Sequence, residues 1–155
     1  MAVSRDCYVS PLLNIPTFVV ILFALLLSLP AFAQFEISGT THVIDGDTIH
    51  VINDSGTTKV RLQGIAAPEK RQPGGQEATA FLEQFAEGKP VRCVLDGTKT
   101  HKREVGICYV DGQDIAGAVI RKGLARDCPK FSGGRYRGIE KPEAMKLYLP
   151  DYCEK

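Results

Sequence analysis

Between Phe35 and Ile65 the chain alternates apolar and polar positions with a period of two, interrupted twice by turn residues. That pattern predicts strand, turn, strand, turn, strand. The second strand carries Thr48-Ile49-His50-Val51-Ile52. The third runs from Thr57 to Gly64, with Val60 and Leu62 alternating against Arg61 and Gln63. Asp45-Gly46-Asp47 and Asn53-Asp54-Ser55-Gly56 supply the turns, since Asp bonds nearby backbone and Gly tolerates unusual dihedrals. The strand pattern then stops at Ala66-Ala67-Pro68-Glu69, and a polar loop, Lys70 to Gly75, comes next.

The period changes at Gln76. Ala78, Phe81, Leu82 and Phe85 form one helical stripe, so a helix is expected over Gln76–Glu87, stopped by Gly88 and Pro90. Val91–Leu95 reads as a fourth strand and Asp96–Lys102 as a charged link. A fifth strand, Arg103–Val110, is closed by Asp111-Gly112. Ile115, Ala118 and Val119 mark a second short helix ended by Gly123. Phe131–Tyr136 reads as a loop, and Pro142 as the first turn of a third helix reaching about Leu147. Five strands with a helix after the third and another after the fifth predict a mainly β (α+β) domain. The expected architecture is a five-stranded OB-fold barrel with two or three helices, whose groove suits oligonucleotides.

The N-terminus changes the picture of where this domain works. Phe18–Leu27 is an unbroken apolar run, short for a membrane span and succeeded by the small-x-small triplet Ala31-Phe32-Ala33. Residues 1–33 are therefore expected to be a cleaved signal peptide and residues 34–155 the mature domain, periplasmic or secreted, without stable membrane association and monomeric. Cys7 leaves with the leader. Cys93, Cys108, Cys128 and Cys153 stay, an even number in an exported chain, which favours two disulfides over a metal cluster. No Cys-x-x-Cys occurs. Of the three possible connectivities, neighbouring strands four and five favour Cys93–Cys108, leaving Cys128–Cys153 to pin the tail. The formal net charge is +1 and stays so without Arg5 and Asp6. Tight nucleic-acid binding through overall charge is excluded, and any polynucleotide contact must be local, weak and salt-sensitive.

Asp45-Gly46-Asp47 alone is a turn. Its meaning changes with the residues downstream, taken in order: Val60-Arg61-Leu62-Gln63-Gly64-Ile65-Ala66-Ala67-Pro68-Glu69, Gln76-Glu77-Ala78 opening a helix, Arg103 ahead of a strand ending Tyr109-Val110-Asp111-Gly112, and Arg121-Lys122-Gly123-Leu124-Ala125. From about Thr41 to Ala125 this series resembles the staphylococcal nuclease (thermonuclease) family. The resemblance implies the same five-stranded OB barrel and Ca²⁺-dependent cleavage of DNA and RNA phosphodiesters at the bond to the 5′ oxygen.

Residue by residue, the resemblance implies Asp47 as a direct Ca²⁺ ligand, Asp45 as a carboxylate behind it, and the Ala67 carbonyl as a further oxygen. Ca²⁺ takes several hard oxygen ligands. Glu69 matches the carboxylate that orients or deprotonates the attacking water. Arg61 and Arg103 match the guanidiniums that grip the phosphate through their planar forks. Lys70 and Arg71 are candidate substrate-backbone contacts. The chain departs from the family at Ala66, where a second Ca²⁺-ligating Asp is expected. It also departs at Thr100, His101 and Pro129, where Lys and Tyr nucleotide contacts are expected. The Asp-x-Tyr-Gly that usually precedes the second Arg is absent. The first expectation is an exported, Ca²⁺-dependent nuclease acting on DNA or RNA. The alternative is an OB module with weakened catalysis that binds nucleic acid or a protein partner without turnover.

Overall fold

The computed structural model describes residues 35–154. The expected signal peptide lies outside the described residues. In chain order the elements are β1 (Phe35–Asp45), β2 (Thr48–Asn53), β3 (Gly56–Leu62), β4 (Ile65–Ala66), α1 (Gly75–Ala86), β5 (Pro90–Thr100), β6 (Arg103–Val110), β7 (Gln113–Asp114), α2 (Ile115–Lys122), β8 (Arg126–Asp127) and α3 (Pro129–Ser132). Short 3₁₀ turns complete the chain at Arg137–Ile139, Pro142–Lys146 and Asp151–Cys153.

The strands pair in the order β3-β2-β1-β5-β6, and β6 pairs back onto β3, so five strands close a barrel. All contacts are antiparallel except the closing one, where Arg61 lies opposite Val105 in parallel register. This is the OB-type α+β architecture that the alternation predicts. Its inner faces carry Ile49, Val51, Val60, Leu62 and Val110, all at most 1% exposed. Burying such side chains is what offsets the entropy of ordering the chain. On α1, Ala78 and Leu82 are buried, while Phe81 and Phe85 pack half-buried against the same core. α2 starts at Asp114, whose side chain accepts from the Gly117 N–H at 3.0 Å, and ends at Gly123 in the left-handed region.

Cys93 and Cys108 face each other across β5 and β6 and are joined inside the barrel. Cys128 and Cys153 are joined outside it, in a small separate cluster with Ala66 and Leu149. With loops of 15 and 25 residues, each bridge stabilises the fold by about 3 kcal/mol through the unfolded chain.

Local expectations differ from the structure in three places. The third strand ends at Leu62, and Ile65–Ala66 forms its own short pairing with Arg126–Asp127. The charged link is mostly strand: β5 continues to Thr100, Lys99 pairs with Glu104, and the turn narrows to His101 and Lys102, both at positive φ. The pairing of Lys99 with Glu104, whose charges meet at 2.7 Å, favours the longer hairpin. Beyond Cys128 the assignments exchange character. Pro129–Ser132 is a single helical turn where a loop is expected, and Pro142–Lys146 is 3₁₀ where α-helix is expected. Only Ala144 of that stretch is buried, so no apolar stripe holds a longer helix.

Candidate functional site

The turn between β1 and β2 is built by close approach. The Asp47 N–H donates to Asp45 Oδ1 at 3.0 Å. Gly46 is not in the left-handed region. A Cβ there would stand 2.7 Å from the Ala78 Cβ on α1 and 2.8 Å from the Ala67 Cβ. Glycine is needed because a helix and a loop press on the turn from both sides. That pressure buries Asp47, which is 4% exposed.

Both oxygens of Asp47 are engaged. Oδ1 accepts the Thr48 hydroxyl at 3.1 Å and pairs with the Arg61 guanidinium through Nη1. Oδ2 accepts the Ala67 N–H at 3.1 Å. Arg61 reaches Asp47 because it lies directly across from Thr48 in the β2–β3 register, with Val60 and Leu62 turned inward on either side. Its Nη2 donates to the Ile65 carbonyl at 3.1 Å. Arg103 arrives from the start of β6 and donates through Nη1 to the Thr48 hydroxyl at 3.0 Å. One hydrogen-bonded chain therefore runs Arg61–Asp47–Thr48–Arg103. Thr48 is the link that sequence reasoning misses, although it stands beside Asp47 as the first residue of β2.

Burial pulls the Arg61 pKa down to about 10. Tyr152 acts in the opposite direction, Arg103 adds to the fall, and Asp45 and Glu69 oppose it. Arg61 is still a cation at neutral pH. A guanidinium has five N–H donors, and Arg61 commits Nη1 and Nη2 to Asp47 and Ile65 while Arg103 commits Nη1 to Thr48, so both retain donors for a phosphate.

Glu69 is exposed on the loop before α1. Gln72 fixes its backbone: the Glu69 N–H donates to Gln72 Oε1 at 2.9 Å, and the Gln72 N–H returns to the Glu69 carbonyl at 2.7 Å. Gly75 closes the loop, since a Cβ there would lie 1.9 Å from the Glu69 carbonyl oxygen. Lys70 and Arg71 are exposed on the same loop, and neither joins the Asp47 chain. Gln72 is a second positioning residue that the sequence shows only as part of a polar loop.

The expected Ca²⁺ can be tested against these donors. Ca²⁺ takes six to eight oxygens. Among the described residues no three His, Cys, Asp or Glu side chains group as a cage. Asp47 already holds an N–H, a hydroxyl and a cation. Ala67, whose carbonyl is the other expected ligand, donates its N–H to Asp47. Ala66, where the family resemblance expects an Asp, is 2% exposed and packs on the Cys128–Cys153 bridge and Leu149. These donors do not fit a resident Ca²⁺.

A family model described as "Staphylococcal nuclease homologue" matches residues 59–146. The chain is 32% identical over 132 residues to the "Succinoglycan biosynthesis protein ExoI" of Rhizobium meliloti, covering 77% of this chain and 67% of that protein. It is 33% identical over 84 residues to an "Uncharacterized endonuclease" of Escherichia coli O157:H7, covering 54% of this chain and 55% of the relative. It is 28% identical over 133 residues to a "Micrococcal nuclease" of Shigella flexneri, covering 80% of this chain and 71% of that protein. The chain thus spans just over half the length of the Escherichia coli relative. The closed barrel, the Asp47–Arg61 pair on it and a family match over more than half the chain agree: the protein belongs to the staphylococcal nuclease homologue family.

Proposed function

We propose that the protein is an exported nuclease that hydrolyses phosphodiester bonds of DNA or RNA. The observation that carries this reading is the chain Arg61–Asp47–Thr48–Arg103, two guanidiniums held by hydrogen bonds with spare donors, together with the exposed carboxylate of Glu69 on the loop before α1. The arginines grip the non-bridging phosphate oxygens and offset the negative charge that grows in the transition state. Glu69 takes a proton from a water, whose oxygen attacks phosphorus. The P–O bond opposite breaks, and the leaving oxygen takes a proton from solvent. Asp47 does not touch substrate in this scheme; it holds Arg61 in place and prevents its withdrawal into solvent. Nuclease-named relatives support the reading, and the two disulfides support export. No step is assigned to Ca²⁺, because the donors present do not fit it. Substrate binding through so few cations is weak and salt-sensitive.

The test is digestion of plasmid and of RNA by the parent, Glu69→Gln and Arg61→Lys, each in Ca²⁺ or EGTA. Arg61→Lys keeps the charge against buried Asp47, whereas Arg61→Ala would leave that charge unpaired at a cost of about 3–5 kcal/mol. Glu69→Gln is expected to lower turnover roughly 10²–10⁴-fold. Equal cleavage by all forms, or none by any, refutes the proposal. A specific observation favours a second reading. Ala66 sits buried against a disulfide where the resemblance expects a metal ligand, which suits an OB module that binds nucleic acid or a protein partner without turnover. Oligonucleotide or partner binding with no cleavage in any metal would favour that reading.

A further inference from the structure

The outer face of the β1–β2 hairpin carries a histidine pair that the Asp47 chain does not use. Thr41 and Val43 of β1 and Ile49 and Val51 of β2 are buried. Alternation along each strand therefore turns His42 and His50 outward. The register sets these two directly opposite each other. Their ring centroids are 5.9 Å apart and the rings are inclined by 62°. His50 lies two residues along β2 from Thr48, so the pair borders the Arg61–Asp47–Thr48–Arg103 chain without belonging to it.

The His42 ring is fixed from behind. Its Nδ1 stands 3.0 Å from Oε1 of Glu87, the residue that ends α1, and Oε2 of the same carboxylate accepts the Val43 N–H at 2.7 Å. Those two bonds hold the Glu87 carboxyl below its ordinary range, so it is ionised at neutral pH and only accepts. The proton between the two side chains therefore sits on Nδ1. In neutral His42 the other ring nitrogen, Nε2, is then a bare lone pair on a half-exposed side chain. Burial first, then the charges of Lys59 and His42, lower the His50 pKa, so that ring is neutral at neutral pH as well.

We propose that His42 and His50 together bind one divalent transition-metal ion of the zinc, copper or nickel type, with Glu87 orienting the His42 ring. Imidazole nitrogen suits these ions, whereas Ca²⁺ takes hard oxygens. A metal-bound histidine characteristically donates its other N–H to a carboxylate, the arrangement His42 makes with Glu87. Zn²⁺ stands about 2.0–2.1 Å from each ligating nitrogen in a tetrahedral shell, which sets the centres of two imidazoles sharing it about 5 Å apart. A small rotation of either ring closes the difference from 5.9 Å. Two protein ligands leave the other positions to water, in keeping with the lack of a three-ligand cage among the described residues. Lys59, opposite His50 on β3, is the adjacent cation. It is exposed, and its long stem carries the charge outward into solvent. A bound ion ties β1 to β2 close to the turn that presents Asp47.

The test needs no nucleic acid and does not depend on the nuclease reading. Untagged protein carrying Cys7→Ser, which removes the thiol outside the two disulfides, is titrated with Zn²⁺ and separately with Ca²⁺ by calorimetry. The histidine ring resonances are followed by NMR in the same titrations. One equivalent of Zn²⁺ is expected to bind and to move the ring resonances of His42 and His50 but not those of His101, while Ca²⁺ moves none of them. His42→Gln and His50→Gln each weaken Zn²⁺ binding by at least about 10-fold, Glu87→Gln weakens it about 10-fold, and His101→Gln leaves it unchanged. Zn²⁺ raises the Tm of the parent and of His101→Gln but not of the two hairpin variants, and melts without metal check that each variant folds. The ring resonances of the parent decide the question without any substitution. No binding by the parent at millimolar Zn²⁺ overturns the proposal, as does binding that survives His42→Gln or His50→Gln, or that falls equally in His101→Gln. Ca²⁺ moving the same two rings overturns the assignment to a transition metal.

Discussion

Restoring the acidic residue that the family resemblance expects should damage this protein. Ala66 is 2% exposed and its methyl group meets Cys128, Cys153 and Leu149. Ala66→Asp places a carboxylate against that cluster. Overfilling a packed site costs about 1–3 kcal/mol, and an unpaired buried polar group adds about 1–3 kcal/mol more. A total near 4 kcal/mol lowers Tm by about 15 °C in a domain of this size. Thermal melts of Ala66→Asp and Ala66→Asn, with and without 10 mM Ca²⁺, measure it. Asn carries the volume without the charge and should lose less. In a Cys128→Ser/Cys153→Ser background the tail is released, so the Ala66→Asp penalty should shrink by at least about 1 kcal/mol, the coupling expected for residues in contact. The reasoning is refuted if Ala66→Asp melts with the parent and gains stability with Ca²⁺. Binding at a hundredfold excess over Kd would show as about 2.7 kcal/mol.

The remaining predictions concern the supports of the site and the fold. Gly46→Ala drives a methyl into Ala78 and Ala67, and is expected to cost about 1–3 kcal/mol in urea unfolding and to lower turnover by displacing Asp47. Asp114→Ala removes the α2 cap and the partner of the buried Tyr136 hydroxyl, bonded at 3.1 Å; a loss of about 2–4 kcal/mol is expected from the two effects, measured in the same way. The His42 ring, then the Val43 N–H, hold the Glu87 carboxyl below its usual range. Its contribution is therefore present above the ordinary carboxylate pKa and is lost as pH falls through the lower folded value. Glu87→Gln should flatten the acid limb of stability against pH by under about 1 kcal/mol, because the pair is half-exposed and screened.

The site is partly legible in the sequence. Asp47 stands in the turn just before β2 and Arg61 on β3, which pairs with β2, so their meeting depends on a short turn and a register, both local properties. Arg103 joins them only because β6 closes the barrel onto β3. Thr48 is invisible as a hub, since a threonine at a strand start has no spacing signature. Gly46 is legible as a turn residue for the wrong reason: its φ is not in the left-handed region, and what excludes a side chain is the approach of α1 and Ala67.

Alternation of side chains along a strand and the stripe on a helix are set by neighbours two to four residues away. The five strands, α1, α2 and the order of Asp47, Arg61, Glu69 and Arg103 can therefore be read from the sequence itself. The four cysteines after residue 34 and the near-neutral charge are equally plain. Only the tertiary structure decided what surrounds Ala66 and how the oxygens of Asp47 are spent. Each depends on segments distant in sequence, Ala67 and α1 against the turn and Cys153 against Ala66, brought together by burial and a disulfide. Contacts of that range leave no period in the sequence, because nothing within a few residues needs to anticipate them.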